Sequence, residues 1–193
     1  RIFYKRDCDL CHKETISLYP KATEFPVYCH SCWYSDNWDS LAFAVDYDPN
    51  LNFFVQFQSL QKKVPRPALI GSNNINSPYV NYTAYSKNCY LTAGSGWNEN
   101  CMYVTRTMRS KESMDSFALV DSELCYENNQ CGKNHRVKFS DSSDNSIESS
   151  FLLNCKNVSN CIGCVNLRSK SYHVFNEACT KEEFDKINSV LGS

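Results

Sequence analysis

Steps of twelve from Cys89 meet Cys101, Ser113, Cys125, Val137, Ser149 and Cys161, and one step back meets Ser77. Seven of these eight positions are Cys or Ser, so the second half of the chain is built from repeated units. The neighbours keep the same step. Asn88, Asn100 and Asn160 precede the small residue, and Leu91, Tyr103, Phe139 and Phe151 follow it by two. Side chains two apart on a strand share a face, so each unit is expected to turn one small and one large residue inward, then bend at a Ser/Asn/Asp-rich turn. Such units bury a continuous core only by covering one another. The expectation is a mainly β fold whose repeat region is a β-solenoid (parallel β-helix). With two strands per coil, each coil takes about 24 residues, and about four coils run from Ser77 to Asn176. Cys89, Ser113, Val137 and Cys161 would form one inward ladder, and Cys101, Cys125 and Ser149 the other. Free cysteine behaves as a small hydrophobe and suits such crowding. An antiparallel β meander or sandwich has the same strand spacing and is the alternative.

The first third carries a different signal, CDLCHKETISLYPKATEFPVYCHSC, with two Cys-x-x-Cys pairs at Cys8/Cys11 and Cys29/Cys32. A Cys-x-x-Cys turn sets both sulfurs on one side, and two facing turns make a tetrahedral four-thiolate cage, the geometry zinc accepts. Disulfides between residues three apart are strained, and a duplicated redox pair lacks its βαβ setting. One structural Zn2+ is therefore the cofactor expected here. The alternating stretch ETISLY, a turn at Pro20-Lys21-Ala22 and the return FPVY predict a hairpin joining the two pairs, as in a zinc ribbon. His12 and His30 lie beside the cage, which four thiolates already fill. A second metal site is a lesser candidate at Cys155, Cys161, Cys164 and Cys179, where only Cys161 and Cys164 have knuckle spacing.

Between these regions, Asp48-Pro49 reads as a helix start. Phe53, Phe57, Leu60 and Val64 then make one helical stripe that Pro65 ends. Trp33, Tyr34, Trp38 and that stripe are read as cement between ribbon and helix; base-stacking rings are the competing role. Near the end, Thr180 and Glu183 form a capping box for a last helix reaching Leu191. The organisation expected is a ribbon and helix over 1–70, the solenoid over 71–176 and a C-terminal helix over 177–193. Ribbon and aromatic helix would cap the solenoid's start, and the last helix its end.

The run Arg1-Ile-Phe-Tyr-Lys-Arg, the paired cysteines, Trp33, Ser35-Asp36-Asn37-Trp38-Asp39, the Phe53–Phe57 helix and Val64-Pro65-Arg66-Pro67-Ala68-Leu69 resemble an uncharacterised bacterial family. That family is known mostly from environmental genomes and has Cys-x-x-Cys zinc knuckles followed by Cys-rich repeats. Asn88-Cys89-Tyr90-Leu91, Ser122-Glu123-Leu124-Cys125-Tyr126-Glu127 and Cys161-Ile162-Gly163-Cys164-Val165-Asn166-Leu167-Arg168 are similar to its later motifs. The resemblance implies the same architecture and a longer parent protein, with a further knuckle upstream and an extension past the C-terminus. Ser113 and Ser116 stand where the family usually has Cys, which speaks against an obligatory metal in each repeat. No activity follows from the resemblance.

The 193 residues carry a net charge of −1 with both signs interspersed, so no polybasic surface points to a phosphate backbone. No apolar run is long enough to span a membrane. Twelve cysteines that form no small-domain disulfide framework point to a reducing, cytoplasmic setting. His135 and His173 have no nucleophile motif beside them, and the six dispersed glycines make no phosphate loop. The leading expectation is a non-catalytic binding or scaffold protein that meets a protein partner or its own copies through a rigid solenoid face. Nucleic-acid binding is the alternative if Lys5, Arg6, Lys62, Lys63 and Arg66 converge on one face. A carbohydrate-active β-helix enzyme using Asp115 and Glu127 is the third.

Overall fold

The computed structural model describes residues 2–191 and divides the chain into two compact units, Arg1–Gly71 and Ser72–Ser193. In the first, strands β1 (Tyr4–Asp7) and β2 (Glu14–Ser17) pair antiparallel, with Tyr4 opposite Ser17 and Asp7 opposite Glu14. The first cysteine pair is the turn of this hairpin. Cys8 N–H donates to the Lys13 carbonyl at 2.9 Å, His12 N–H donates to the Cys8 carbonyl at 2.9 Å, and His12 takes the left-handed φ of 58°. Strand β3 (Val27–Tyr28) instead pairs in parallel with β4 (Arg66–Pro67). The hairpin expected between ETISLY and FPVY is thus not the one formed. Arg6 is the physical reason. Its buried guanidinium donates to the Pro20 carbonyl at 2.8 Å, to Thr23 Oγ1 at 3.2 Å and to Asp9 Oδ2 at 2.7 Å. Asp9 Oδ2 also accepts the Val27 N–H at 2.6 Å. The segment after β2 is wrapped around Arg6, and β2 pairs with the strand that carries it.

Helix α1 (His30–Trp33) follows Cys29, and helix α2 (Phe53–Lys63) lies further on. The cap of α2 is Asn52, whose side-chain oxygen accepts the Phe54 N–H at 2.9 Å. Asp48, the expected cap, instead accepts the Asn50 N–H at 2.8 Å in a turn around Pro49. Val64 is the C-cap, as the following proline requires. No side chain of α2 is buried, and Phe54 is 74% exposed. Trp33 and Trp38, with Leu10, pack on the cluster of Cys8, Tyr28, Cys29 and Cys32.

The second unit is a β-solenoid of about nine coils. Its parallel bridges join residues twelve apart throughout, as in Ile75 to Lys87, Lys87 to Glu99 and Lys156 to Arg168. One coil is therefore twelve residues, half the expected length, and the coil count is correspondingly doubled. Every third residue from Tyr82 to Phe175 sits at φ between +46° and +65°. Each left-handed residue turns the chain through a corner, giving four three-residue sides per coil. A triplet contains one inward residue, one bridging residue and one corner residue. The residue two beyond the small one is thus a corner and faces out: Tyr103, Phe139 and Phe151 are exposed. Strand-like alternation fails because no side is long enough for two inward side chains. The two expected ladders merge into one, running Ser77, Cys89, Cys101, Ser113, Cys125, Val137, Ser149, Cys161, all buried.

Left-handed backbone costs a non-glycine residue about 1–2 kcal/mol, so the coil must over-determine it. The hydrogen-bond pattern does this. Bridging N–H groups donate to the following coil, as Tyr90 does to the Cys101 carbonyl at 3.0 Å. Corner N–H groups donate to the preceding coil, as Asn88 does to the Ile75 carbonyl at 3.0 Å. The inward N–H points at the side chain twelve residues earlier. Cys161 donates to Ser149 Oγ at 3.0 Å, Ser110 to Asn98 Oδ1 at 3.0 Å and Cys125 to Ser113 Oγ at 3.3 Å. Where cysteine takes the inward place its S–H is a donor, as Cys125 is to the Glu123 carbonyl at 3.5 Å. Small polar inward residues are therefore the acceptors that satisfy a buried donor.

The end of the solenoid is closed locally. Strand Ser171–Val174 pairs antiparallel with Glu177–Ala178, which breaks the parallel ladder. Helix α3 (Lys181–Leu191) then lies against the last coils, with Phe184 buried edge-on to Tyr172 at 5.9 Å. Its capping box forms: Thr180 N–H donates to Glu183 Oε2 at 2.8 Å and Glu183 N–H to Thr180 Oγ1 at 3.2 Å.

Candidate metal centre

The hairpin turn presents Cys8 and Cys11, and the start of α1 presents Cys29 and Cys32. Their four sulfurs lie within 4.8 Å of one another. Cys11 and Cys29 Sγ are 3.8 Å apart. A tetrahedral cage with bonds of about 2.3 Å has S···S edges of about 3.8 Å, whereas a disulfide would bring two sulfurs to about 2.05 Å. Cys29 N–H donates to Cys8 Sγ at 3.2 Å, and Ser31 Oγ lies 3.2 Å from Cys29 Sγ. Such N–H···S contacts stabilise thiolates and fix their direction. Burial works against ionisation of Cys29, but the hydrogen bonds of Ser31, Cys32 and Cys8 outweigh it and bring the thiol down to about 6. Cys32 is pushed up, first by burial and then by the three neighbouring thiols. One cation among these sulfurs would relieve that competition. The donor set and spacing fit a soft-ligand metal ion, and the closed four-sulfur geometry leaves no position for a substrate. His30 faces away, with Nε2 2.8 Å from the Gly71 carbonyl oxygen and its ring against Tyr34.

The other candidate residues are placed as follows. Among the described residues, these four cysteines are the group whose metal-ligating atoms converge. Cys155, Cys161 and Cys164 are buried on three different sides of the solenoid core. Their S–H groups point at backbone carbonyls, Cys155 to Cys164 at 3.2 Å and Cys161 to Ser159 at 3.3 Å. Cys179 lies beyond the last parallel strand. Of the five basic residues, Lys5 pairs with Glu14, Arg6 is buried on Asp9, and Lys62 pairs with Glu24. The Arg66 guanidinium stacks over Phe25 at 3.8 Å. Four of the five thus have partners within the first unit. Asp115 and Glu127 stand one coil apart at the same corner, in an open groove of about 520 Å³ shared with Tyr103 and Phe117.

Sequence reasoning missed the outward ladders. Charges pair one coil apart, as in Arg109–Asp121 at 2.6 Å and Arg136–Glu148 at 2.8 Å. Side-chain amides do the same in Asn76–Asn88–Asn100. Tyr85 and Trp97 stack at 5.4 Å, and Phe139 and Phe151 at 4.9 Å. The signal was present in the same twelve-residue step, read at the corner positions.

No family model and no curated protein matches this chain. Among solved structures, it is similar to the UDP-N-acetylglucosamine acyltransferase LpxA of Bacteroides fragilis. The two are 13% identical over 55% of this chain and 66% of that one, just under two thirds of its length, with a TM-score of 0.25. A UDP-N-acetylglucosamine acyltransferase of Campylobacter jejuni is 8% identical over 64% of this chain and 78% of that one, with a TM-score of 0.26. At these TM-scores the likeness bears neither on the architecture nor on activity. No helix among the described residues is long and apolar enough to cross a membrane.

Proposed function

We propose that this is a zinc-stabilised, non-catalytic binding or scaffold protein, in which Cys8, Cys11, Cys29 and Cys32 hold one structural Zn2+ and the solenoid offers a rigid face to a macromolecular partner or to another copy. The observation that carries the reading is the convergence of four thiols with a 3.8 Å edge. Zinc is favoured over other soft-ligand ions because it is redox-inert and takes a tetrahedral thiolate site without electronic cost. The scaffold part is supported by outward ladders that repeat every coil and hold charged and aromatic groups at fixed spacing. All twelve cysteines are free thiols, which supports a reducing, cytoplasmic compartment. The test is affinity capture on the immobilised full chain from its native source. Reproducible capture of a defined macromolecule, lost on shuffling the solenoid's surface charges, supports the reading. Turnover of a substrate by the purified chain would overturn it.

A second reading is supported by Asp115 and Glu127, which share a groove with two rings. Two carboxylates beside aromatic platforms suit glycoside chemistry. Release of reducing sugar from a polysaccharide panel, abolished by Glu127→Gln, would favour it over the scaffold.

A further inference from the structure

A cavity of about 420 Å³ lies between one side of the solenoid and the end of α3, and its lining is chemically uneven. One wall is the stacked pair of Phe139 and Phe151, with centroids 4.9 Å apart and planes 10° from parallel. The other is the corner ladder of Leu124, Arg136 and Glu148. Lys138 and Ser150 belong to the side between the two corners, and Leu191 of α3 closes the far end. Arg136 is neutralised by Glu148 at 2.8 Å. Lys138 makes no ion pair among the described residues, so the lining keeps one uncompensated positive charge beside an apolar wall.

We propose that this cavity binds a small aromatic monoanion, a carboxylate or sulfonate on a body of one or two rings, with the acid group at Lys138 and the rings against Phe139 and Phe151. The volume lies in the range of small-molecule sites and excludes a folded partner. A cation with no protein counter-charge attracts an anion, and the edges of two stacked rings suit the face of a third aromatic ring. The Arg136–Glu148 pair offers one further donor and acceptor at the rim. The site belongs wholly to the second unit and does not depend on metal binding by the first.

The test is a fluorescence titration of the full chain with 1-anilinonaphthalene-8-sulfonate and with its uncharged counterpart N-phenyl-1-naphthylamine, alongside amide NMR mapping. Saturable binding of one anilinonaphthalene sulfonate is expected, with shifts centred on Phe139, Ser150, Phe151 and Asn188. Lys138→Met should weaken the sulfonate about tenfold, the scale of one charge-assisted hydrogen bond, and leave the neutral probe unchanged. Leu191→Asp should weaken both probes, and Lys111→Met, elsewhere on the solenoid, neither. Sulfonate binding insensitive to Lys138→Met, equal binding of the two probes, or shifts scattered over the solenoid would overturn the proposal. So would absence of saturable binding in a chain whose circular dichroism is native.

Discussion

At the scale of single residues, the solenoid rests on a conformation that most side chains avoid. The corner positions hold Tyr, Trp, Arg, Leu and Phe as well as Asn, which is why no residue type announced them. Asn157 tests the corner rule. It is left-handed and its side chain accepts from Asn145 Nδ2 at 2.9 Å. Asn157→Val should destabilise the solenoid by about 1–2 kcal/mol, because a β-branched residue is worst in that region. Asn157→Gly should do so by less, and urea unfolding followed by circular dichroism reads both. Gly163 is a sharper case: a Cβ there would lie 2.7 Å from the Phe175 ring at a φ of +65°. Gly163→Ala is expected to cost about 1–2 kcal/mol through its left-handed φ, with the exposed Phe175 ring displaced.

Three of the inward thiols, Cys125, Cys131 and Cys161, link pH to stability in one direction. Burial pushes Cys131 and Cys161 up to about 11, and it also raises Cys125. Unfolded thiols lose their protons near pH 8.5. Above that pH the unfolded chain binds fewer protons than the folded one. These groups therefore favour the fold below about pH 8.5, and their contribution is lost as pH rises towards 11. The expected outcome is falling stability across that window, with iodoacetamide labelling Cys101 and Cys125 slowly in the native chain and fully in denaturant. A flat stability profile, or rapid native labelling of Cys125, which is 1% exposed, would contradict the buried ladder. The ladder itself was legible, since the Cys/Ser step names its members. That the inward serines accept the N–H of the next coil became visible only once the coils were seen stacked.

At the scale of elements, Arg6 decides the first unit. It reads as a basic surface residue in sequence, yet it is 5% exposed and holds Asp9, Pro20 and Thr23. Nothing local distinguishes it, because the chain segments it joins are up to seventeen residues away. Arg6→Met should leave the Pro20 carbonyl without the guanidinium and Asp9 with only the Val27 N–H, and destabilise the hairpin by about 1–3 kcal/mol, measured by loss of protection at the amides of β1 and β2 in hydrogen exchange. The capping box of the C-terminal helix was legible because it is a local device, but the helix begins at Lys181, after the strand Glu177–Ala178, and not at 177; residues 192–193 of the expected span lie outside the described residues. The α2 stripe was legible as a helix and misleading as a core, since periodicity reports a face without saying what covers it.

At the scale of the whole molecule, the repeat length was in plain view while the coil length was not. A twelve-residue step fits one short coil with four corners or half of a longer coil with two strands, and the choice depends on whether the third residue turns left. The two cases differ under deletion. Removing residues 111–122 should give a shorter, cooperatively folded solenoid with unchanged β-type circular dichroism, because the ladder resumes in register from Ser110 to Glu123. Removing six residues should abolish the fold of the second unit. A 24-residue coil would tolerate neither deletion.

Metal stoichiometry tests the proposed zinc site, and with it the reading of the protein as a metal-stapled scaffold, most directly. Native mass spectrometry of the full chain, purified under reducing conditions and supplied with zinc, should show one ion per chain. That ion should disappear in Cys8→Ser, Cys11→Ser, Cys29→Ser and Cys32→Ser, and persist in Cys155→Ser and Cys164→Ser. A chain that stays folded with no ion, or an ion that survives loss of any of the first four thiols, would contradict it.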